Sequence, residues 1–163
     1  MSQIAFFYSF KTEQLPQLVQ VAEQKVIIKK NWLGSIKEII NPFGNFVRDN
    51  SVETVFQWSG YMYAVLYVYL DEKRGVSWEN AELTNSISQN QEASIFLFNS
   101  NDASRILPSL ENIPSEKELQ KFYTEFSEED LPDSGVAMLE AFTLLKKSLS
   151  QLDDGHFLML EII

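Results

Sequence analysis

The chain has 163 residues, a formal net charge of −10 and no cysteine. Its length predicts one domain with a full hydrophobic core, since a chain of this size buries roughly 68–70% of its unfolded surface. The lack of cysteine excludes disulfides, thiolate metal sites and a cysteine nucleophile. The negative charge argues against nucleic acid or an anionic membrane as the main partner. The first ten residues lack the basic start and cleavage site of a secretory signal, so we expect a cytoplasmic protein.

The chain begins with a predicted strand and a short helix. Residues 4–10 are apolar and aromatic, which is typical of a strand. Thr12 is placed to cap a helix, with Pro16 tolerated in its first turn. The inner face of this helix is expected to hold Leu15, Leu18, Val19 and Ala22.

Residues 25–50 favour two short helices, broken at Gly34 and stopped at Asn41 and the proline after it. We expect Trp32 and Phe43 to pack at the edges of the core.

The stretch from 57 to 76 predicts a central helix, which Asn50 and Glu53 precede as a capping box. Its apolar residues recur at intervals of three and four, and the other face is also apolar, so we expect burial on several sides. Gly75 directly follows two cationic residues. Both features are expected at the end of a helix, where glycine adopts the left-handed conformation. A strand is the alternative, but the run exceeds the roughly 4–8 residues of a strand. A membrane span needs roughly 20 apolar residues, more than this run has.

After the central helix, residues 77–92 are polar and predict a loop with at most one helical turn, around Leu83 and Ile87. A linker between domains is the alternative, although neither side alone has a complete set of elements. Residues 93–98 predict a strand. Asp102 begins a helix, with Pro108 at a turn or kink.

The last part of the chain predicts two helices and a strand. Ser115 and Glu118 form a capping-box pattern, followed by a buried face of Leu119, Phe122, Tyr123 and Phe126. An acidic loop at 127–133 leads to a long helix capped by Asp133 or Ser134. The apolar end HFLMLEII predicts a strand covered on both faces and paired with the first strand.

These elements predict a single α+β domain over residues 1–163. We expect a small sheet that contains both terminal strands and is packed by several helices, including the central one.

The second half, with SNDASRILPSLENIPSEKELQKFY and SGVAMLEAFTLLKKSLSQLDDGHFLMLEII, resembles the C-terminal half of the YfbM-like family of bacterial proteins of unknown function. The opening QIAFFYSFKTEQLPQLV resembles that family's first strand and helix, and Trp58 stands about where the family carries a tryptophan. The resemblance covers roughly residues 1–24 and 93–163. It implies an α+β domain with a small sheet and several helices, and it leaves function open because the family has no established activity.

No catalytic motif is present. The sequence contains no P-loop, no dinucleotide fingerprint and no zinc-binding H-E-x-x-H. His156 is the only histidine and has no evident orienting partner, so we expect a structural or exposed residue rather than a general base. The acidic loop lacks the spacing and central glycine of a calcium-binding EF-hand. We therefore expect no metal and no cofactor.

Negative charge is concentrated in the second half, since residues 1–75 carry +1 and residues 76–163 carry −11. A solvated surface that keeps the protein soluble is one interpretation. The other is a docking surface for a basic protein, whose approach opposite charge would steer. The candidate contact residues are Glu116, Glu118, Glu125, Glu128, Glu129, Asp130 and Asp133.

Three hypotheses about function follow. The first is a non-enzymatic protein that binds another protein. Small acidic proteins of this kind resemble bacterial immunity proteins, which cover the active site of a toxin that is often a basic nuclease. The second is a small-ligand binder or enzyme with a pocket beside the central helix, lined by Tyr61, Tyr63, Tyr67 and His156. The third is a homodimer that uses an apolar patch on a helix.

Overall fold

A computed structural model describes residues 3–30, 32–78 and 81–163 of the chain. The strands are β1 (Ala5–Lys11), β2 (Ile27–Lys30), β3 (Ile36–Ile40), β4 (Val52–Val55), β5 (Ser94–Phe98) and β6 (His156–Ile162). The α-helices are α1 (Leu15–Ala22), α2 (Pro42–Asn50), α3 (Tyr61–Arg74), α4 (Ala81–Gln91), α5 (Ser100–Ile106), α6 (Glu116–Ser127) and α7 (Ser134–Ser150). These elements form a single α+β domain, as the sequence predicts.

The main sheet has four antiparallel strands in the order β4-β1-β6-β5. The first and last strands are neighbours along their whole length, which confirms their predicted pairing. At one end of this pair, Phe10 lies opposite Phe157 and their rings stack with centroids 5.0 Å apart. The second sheet is a separate hairpin of β2 and β3.

Helices cover both faces of the main sheet, because successive residues of each strand point to opposite sides. Phe7 and Leu160 join a core cluster formed with α3, α5, α6 and α7. Phe10 and Met159 join a second cluster with α1, α2 and α4. The uniformly apolar sequence of β6 is explained by this double coverage.

Helix α3 lies where the sequence places the central helix, so the strand alternative is excluded. It is buried on several sides, and Val65 and Leu70 are fully enclosed. Gly75 ends it with φ of 65°, and its N–H donates to the Asp71 carbonyl at 3.1 Å. In the ranges that the structure describes, no helix combines the length and apolarity that crossing a membrane requires.

The prediction of two short helices, broken at Gly34 and stopped at Asn41, is wrong for both of them. Residues 27–30 and 36–40 form the strands of the β2–β3 hairpin, with Gly34 at φ of 81° between the strands. The isoleucines of these strands are β-branched and favour extended backbone. Trp32 is 91% exposed instead of packed at the core edge.

Helix α2 begins directly after Asn41, where a helix was predicted to end. The Asn41 side chain accepts a hydrogen bond from the Gly44 N–H at 3.0 Å, so it caps the helix. Pro42 takes the first helical position, where it needs no hydrogen-bond donor. Phe43 is buried, as predicted.

Both helix-capping predictions for the first third of the chain are wrong, the one at Thr12 and the one at Asn50 with Glu53. Thr12 lies in a short 3-10 turn, and its hydroxyl donates to the Asp154 carbonyl at 3.0 Å. Asn50 is the last residue of α2, and Glu53 lies in β4. Thr12 is already inside the 3-10 turn, and Asn50 is followed by a strand, so neither residue directly precedes a helix that it could cap.

The predicted loop at 77–92 is largely the helix α4, while residues 79–80 lie outside the described ranges. The fully buried Ile87 and the partly buried Leu83 pack into the second core cluster. Burial of this short apolar face outweighs the weak helix propensity of the surrounding asparagines and serines.

The remaining elements follow the sequence closely. The Ser115 hydroxyl accepts from the Glu118 N–H at 3.2 Å and begins α6 as predicted. Pro108 lies in a 3-10 turn after α5. Phe126, expected on the buried face of α6, is instead 44% exposed. It lies near the end of the helix, where its ring stacks on Phe122 with centroids 6.3 Å apart.

Replacing Gly135 by alanine is expected to destabilise the protein by roughly 1–3 kcal/mol, since overpacking costs this much. A Cβ atom there would overlap the Glu116 carbonyl oxygen and lie 3.0 Å from the Gln120 Cβ, where α7 meets α6. Urea denaturation measures the change. Gly155→Ala is the control, because its Cβ would meet only the Asp153 Oδ1 at 3.3 Å. Equal losses in the two variants would contradict the close approach of the helices.

Candidate functional site

The acidic surface consists of Glu116, Glu118, Glu125, Glu128, Glu129, Asp130 and Asp133, which are all exposed. Helix α6 supplies the first three of these residues and the following loop supplies the other four. The apolar side of α6, with Leu119 and Phe122, is buried against the body of the protein. The charged residues of the helix therefore remain on its outer side.

Gln120 fastens the acidic loop to both helices. Its side-chain amide donates to the Leu131 carbonyl at 2.8 Å and to the Asp130 carboxylate at 3.3 Å. Its side-chain oxygen accepts from the Gly135 N–H at 2.9 Å, which satisfies a free donor at the start of α7. The loop is thus held back along α6, and its carboxylates join those of the helix in one surface.

Some of the seven carboxylates have partners within the protein. Glu118 accepts from the Tyr69 hydroxyl at 2.5 Å, and the Arg74 guanidinium donates to the same hydroxyl oxygen at 3.2 Å. Burial, followed by the bond to Glu118, raises the pKa of Tyr69. Glu125 lies 3.7 Å from Lys121 in an exposed pair, which contributes little to stability.

Two exposed apolar side chains lie within the acidic surface. Phe126 is 44% exposed near the end of α6, and Leu131 is 43% exposed in the loop that Gln120 holds. Exposed apolar side chains near charged ones are typical of a protein interface.

The tyrosines of α3 do not form the predicted pocket with His156. Tyr63 and Tyr67 both line a crevice between α3 and the sheet, but its volume is only about 10 Å³. Such a space holds about one water molecule, whereas ligand pockets usually measure roughly 300–1,000 Å³. The Tyr63 hydroxyl donates to the Ala141 carbonyl at 3.2 Å, and Tyr67 stacks on Trp78.

The other two predicted lining residues do not border this crevice. Tyr61 packs edge to face against Tyr123, with ring centroids 6.3 Å apart. His156 is exposed at the start of β6, as expected, but it does have a partner. Its Nδ1 lies 2.7 Å from the Asp153 Oδ1, and this hydrogen bond lowers the pKa of Asp153.

A larger cavity, which was not predicted, lies at the edge of the other sheet face. Its volume is about 330 Å³. Three neighbouring strands each supply one polar group to its lining, which are Tyr8 on β1, Glu53 on β4 and Glu161 on β6. Tyr8 lies directly opposite Glu53 in the strand register, and Glu161 borders the same space. Arg48 and Gln91 also border the space.

Electrostatics in this cavity favour the protonated forms. Burial raises the pKa of Glu161, and the charge of Glu53 adds to the effect, while the hydrogen bond from Tyr8 opposes it. Burial also raises the pKa of Tyr8, and both carboxylates raise it further. The sequence contains one signal for this cavity. Glu161 is the one charged residue in the apolar end of the chain, and a charged side chain is costly to bury without partners.

No group of three or more acidic or histidine side chains converges within residues 3–30, 32–78 and 81–163.

No family model, no curated protein and no solved structure matches the chain. The resemblance to the YfbM-like family therefore remains a prediction.

Glu161→Gln is expected to stabilise the protein more at about pH 7 than at about pH 4, by up to about 1 kcal/mol. The pKa of Glu161 is raised in the folded state, so its proton stabilises the fold at low pH. This contribution is lost as the pH rises from the unfolded-state pKa through the folded-state pKa. Urea denaturation at both pH values measures the difference.

The exposed Glu13→Gln serves as the control for this experiment. It is expected to change the free energy of unfolding by less than about 0.5 kcal/mol at either pH. A Glu161→Gln variant that is equally stable relative to wild type at both pH values contradicts a half-buried carboxyl with a raised pKa.

Proposed function

We propose that this protein acts by binding a basic protein through the acidic surface, as an immunity protein covers the active site of a toxin. The observation that carries the proposal is the combination of exposed carboxylates with exposed Phe126 and Leu131 on one braced surface. The analogy with immunity proteins rests on size and charge, and the partner is defined by its chemistry as a cationic surface with an apolar centre.

Each part of the surface has a distinct role in this proposal. Exposed carboxylates such as Glu128 and Glu129 attract a basic partner and accelerate its encounter. Phe126 and Leu131 supply the apolar contact that becomes desolvated in the complex. Gln120 fixes the loop in advance, so little conformational entropy is lost on binding.

Charge reversal tests the proposal. The triple variant Glu125→Lys, Glu128→Lys and Glu129→Lys should lose a stoichiometric basic partner that the tagged wild-type protein retains from its native lysate. Because opposite charges become like charges, we expect at least a tenfold loss of affinity, about 1.4 kcal/mol. Mass spectrometry identifies the partner, raised salt should release it, and titration with the purified partner measures the affinity.

The control is Glu13→Lys, Glu23→Lys and Glu92→Lys, which changes the net charge equally near α1 and α4, on the other side of the sheet. It should retain the partner. If both variants lose it equally, net charge alone is responsible; if neither loses it, the acidic surface is not the binding site.

A second candidate function is the binding of a small amine in the cavity of Tyr8, Glu53 and Glu161. Its volume of about 330 Å³ lies in the range of ligand pockets, and the raised pKa of Glu161 marks a carboxyl with little solvation. A bound ammonium group would compensate the two carboxylates and favour their charged forms.

Thermal-shift measurements with a series of primary amines test this candidate. A ligand at about one hundred times its Kd stabilises the folded protein by about 2.7 kcal/mol. We expect such a shift for wild type and for Glu13→Gln, and its loss in Glu161→Gln. An equal shift in all three proteins would place the amine elsewhere on the acidic molecule.

A further inference from the structure

The β2–β3 hairpin exposes apolar side chains on both of its faces. Ile27 pairs with Ile40 and Ile28 with Ile39, and consecutive residues of a strand point to opposite sides. Ile28 and Ile39 are 53% and 59% exposed, respectively. Scattered single apolar residues are normal on a protein surface, whereas several of them exposed on one small element indicate a surface that binds something.

The hairpin also lacks the coverage that makes a small sheet stable. It pairs with no strand of the main sheet in the described part of the chain. An isolated two-stranded hairpin is marginally stable at best in water. Contact with another surface would therefore stabilise it as well as cover its isoleucines.

Its charge is opposite to that of the rest of the molecule. Residues 25–40 contain four lysines and one glutamate, a formal charge of +3 in a chain of net charge −10. Lys29 forms an exposed ion pair with Glu38 at 2.8 Å, whereas Lys25 and Lys30 are exposed outside that pair. The occupant of this surface should be anionic and partly apolar.

The acidic surface of a second copy has this chemistry. Residues 111–133 contain eight acidic residues and two lysines, a formal charge of −6, and they include the exposed Phe126 and Leu131. The lengths also agree, since the 12 residues of α6 span about 18 Å and the five residues of β3 about 17 Å. Stacking two hairpins instead would bring like charges together.

We propose that the hairpin of one copy docks on the acidic surface of a second copy. A contact between two different surfaces either closes reciprocally into a dimer or continues into larger assemblies. Self-association would cover the same carboxylates that the proposed function assigns to a basic partner, so the two would compete. The proposal goes beyond that function and does not depend on it.

Sedimentation velocity of the purified protein over a range of concentrations tests the proposal. Wild type should associate, and less so at about 1 M salt than at about 0.1 M, because the screening length falls from about 10 Å to about 3 Å. Lys25→Glu with Lys30→Glu should weaken association at least tenfold, and so should Glu128→Lys with Glu129→Lys. An equimolar mixture of these two variants should associate again, because each supplies the surface that the other lacks.

Two matched controls separate local contact from net charge. Lys11→Glu with Lys147→Glu, and Glu13→Lys with Glu23→Lys, make the same charge changes at exposed positions elsewhere. Both should associate like wild type. Trp32→Ser should weaken association at least tenfold, and at concentrations where both proteins are monomeric its melting temperature should equal that of wild type, since Trp32 is almost fully exposed.

Several outcomes overturn the proposal. These are a wild type that stays monomeric at all concentrations, controls that lose association equally, and a mixture of reversed variants that does not associate. Binding of the monomer to phosphatidylserine vesicles through Lys25 and Lys30 would assign the hairpin to a lipid surface instead. None of these measurements includes a basic partner protein. Failure of the self-association proposal can therefore be distinguished from failure of the proposed function.

Discussion

Strand β6 carries apolar side chains on both faces, so water has to be excluded from both of its sides. It lies inside the main sheet between β1 and β5, with one cluster of helices on each face. Because β1 is the first strand and β6 the last, the core forms only when the two ends of the chain meet. Every helix that contributes to the acidic surface or to the edge cavity is positioned by packing against this central pair, directly or through a neighbouring helix.

The close approach of α6 and α7 is what makes the acidic residues one surface. A glycine at residue 135 allows the backbone of α7 to reach the Glu116 carbonyl, and Gln120 then bonds both the loop and the start of α7. Without this brace the four carboxylates of the loop would be distributed over a mobile segment. The same molecule carries a cationic, apolar hairpin that stands apart from the sheet. Opposite charges are therefore segregated on a small protein, an arrangement that favours oriented contacts over random ones.

Sequence-based prediction succeeded where local signals and burial agree. The apolar surface of α3, the left-handed Gly75 and the serine cap of α6 all belong to short segments in which side-chain spacing and capping chemistry point the same way. It failed in residues 27–40 and in α4. The isoleucines of the hairpin are strand formers that lack the usual alternation of apolar and polar residues, and α4 has only a narrow apolar face in a polar sequence. Tyr8, Glu53 and Glu161 were also not predicted to lie in one cavity, because they come together only through the register of three strands.

The sequence by itself determined the α+β class, the pairing of two apolar terminal strands, the helix ends with clear caps and the concentration of negative charge after residue 76. Each of these depends on composition or on neighbours within a few residues. Only the tertiary structure decided that Tyr63 and Tyr67 border a crevice too small for a ligand, that Tyr8 faces two carboxylates, and that Trp32 is exposed. Burial and distance between residues remote in sequence depend on how the layers pack, and periodicity within one segment does not specify that packing.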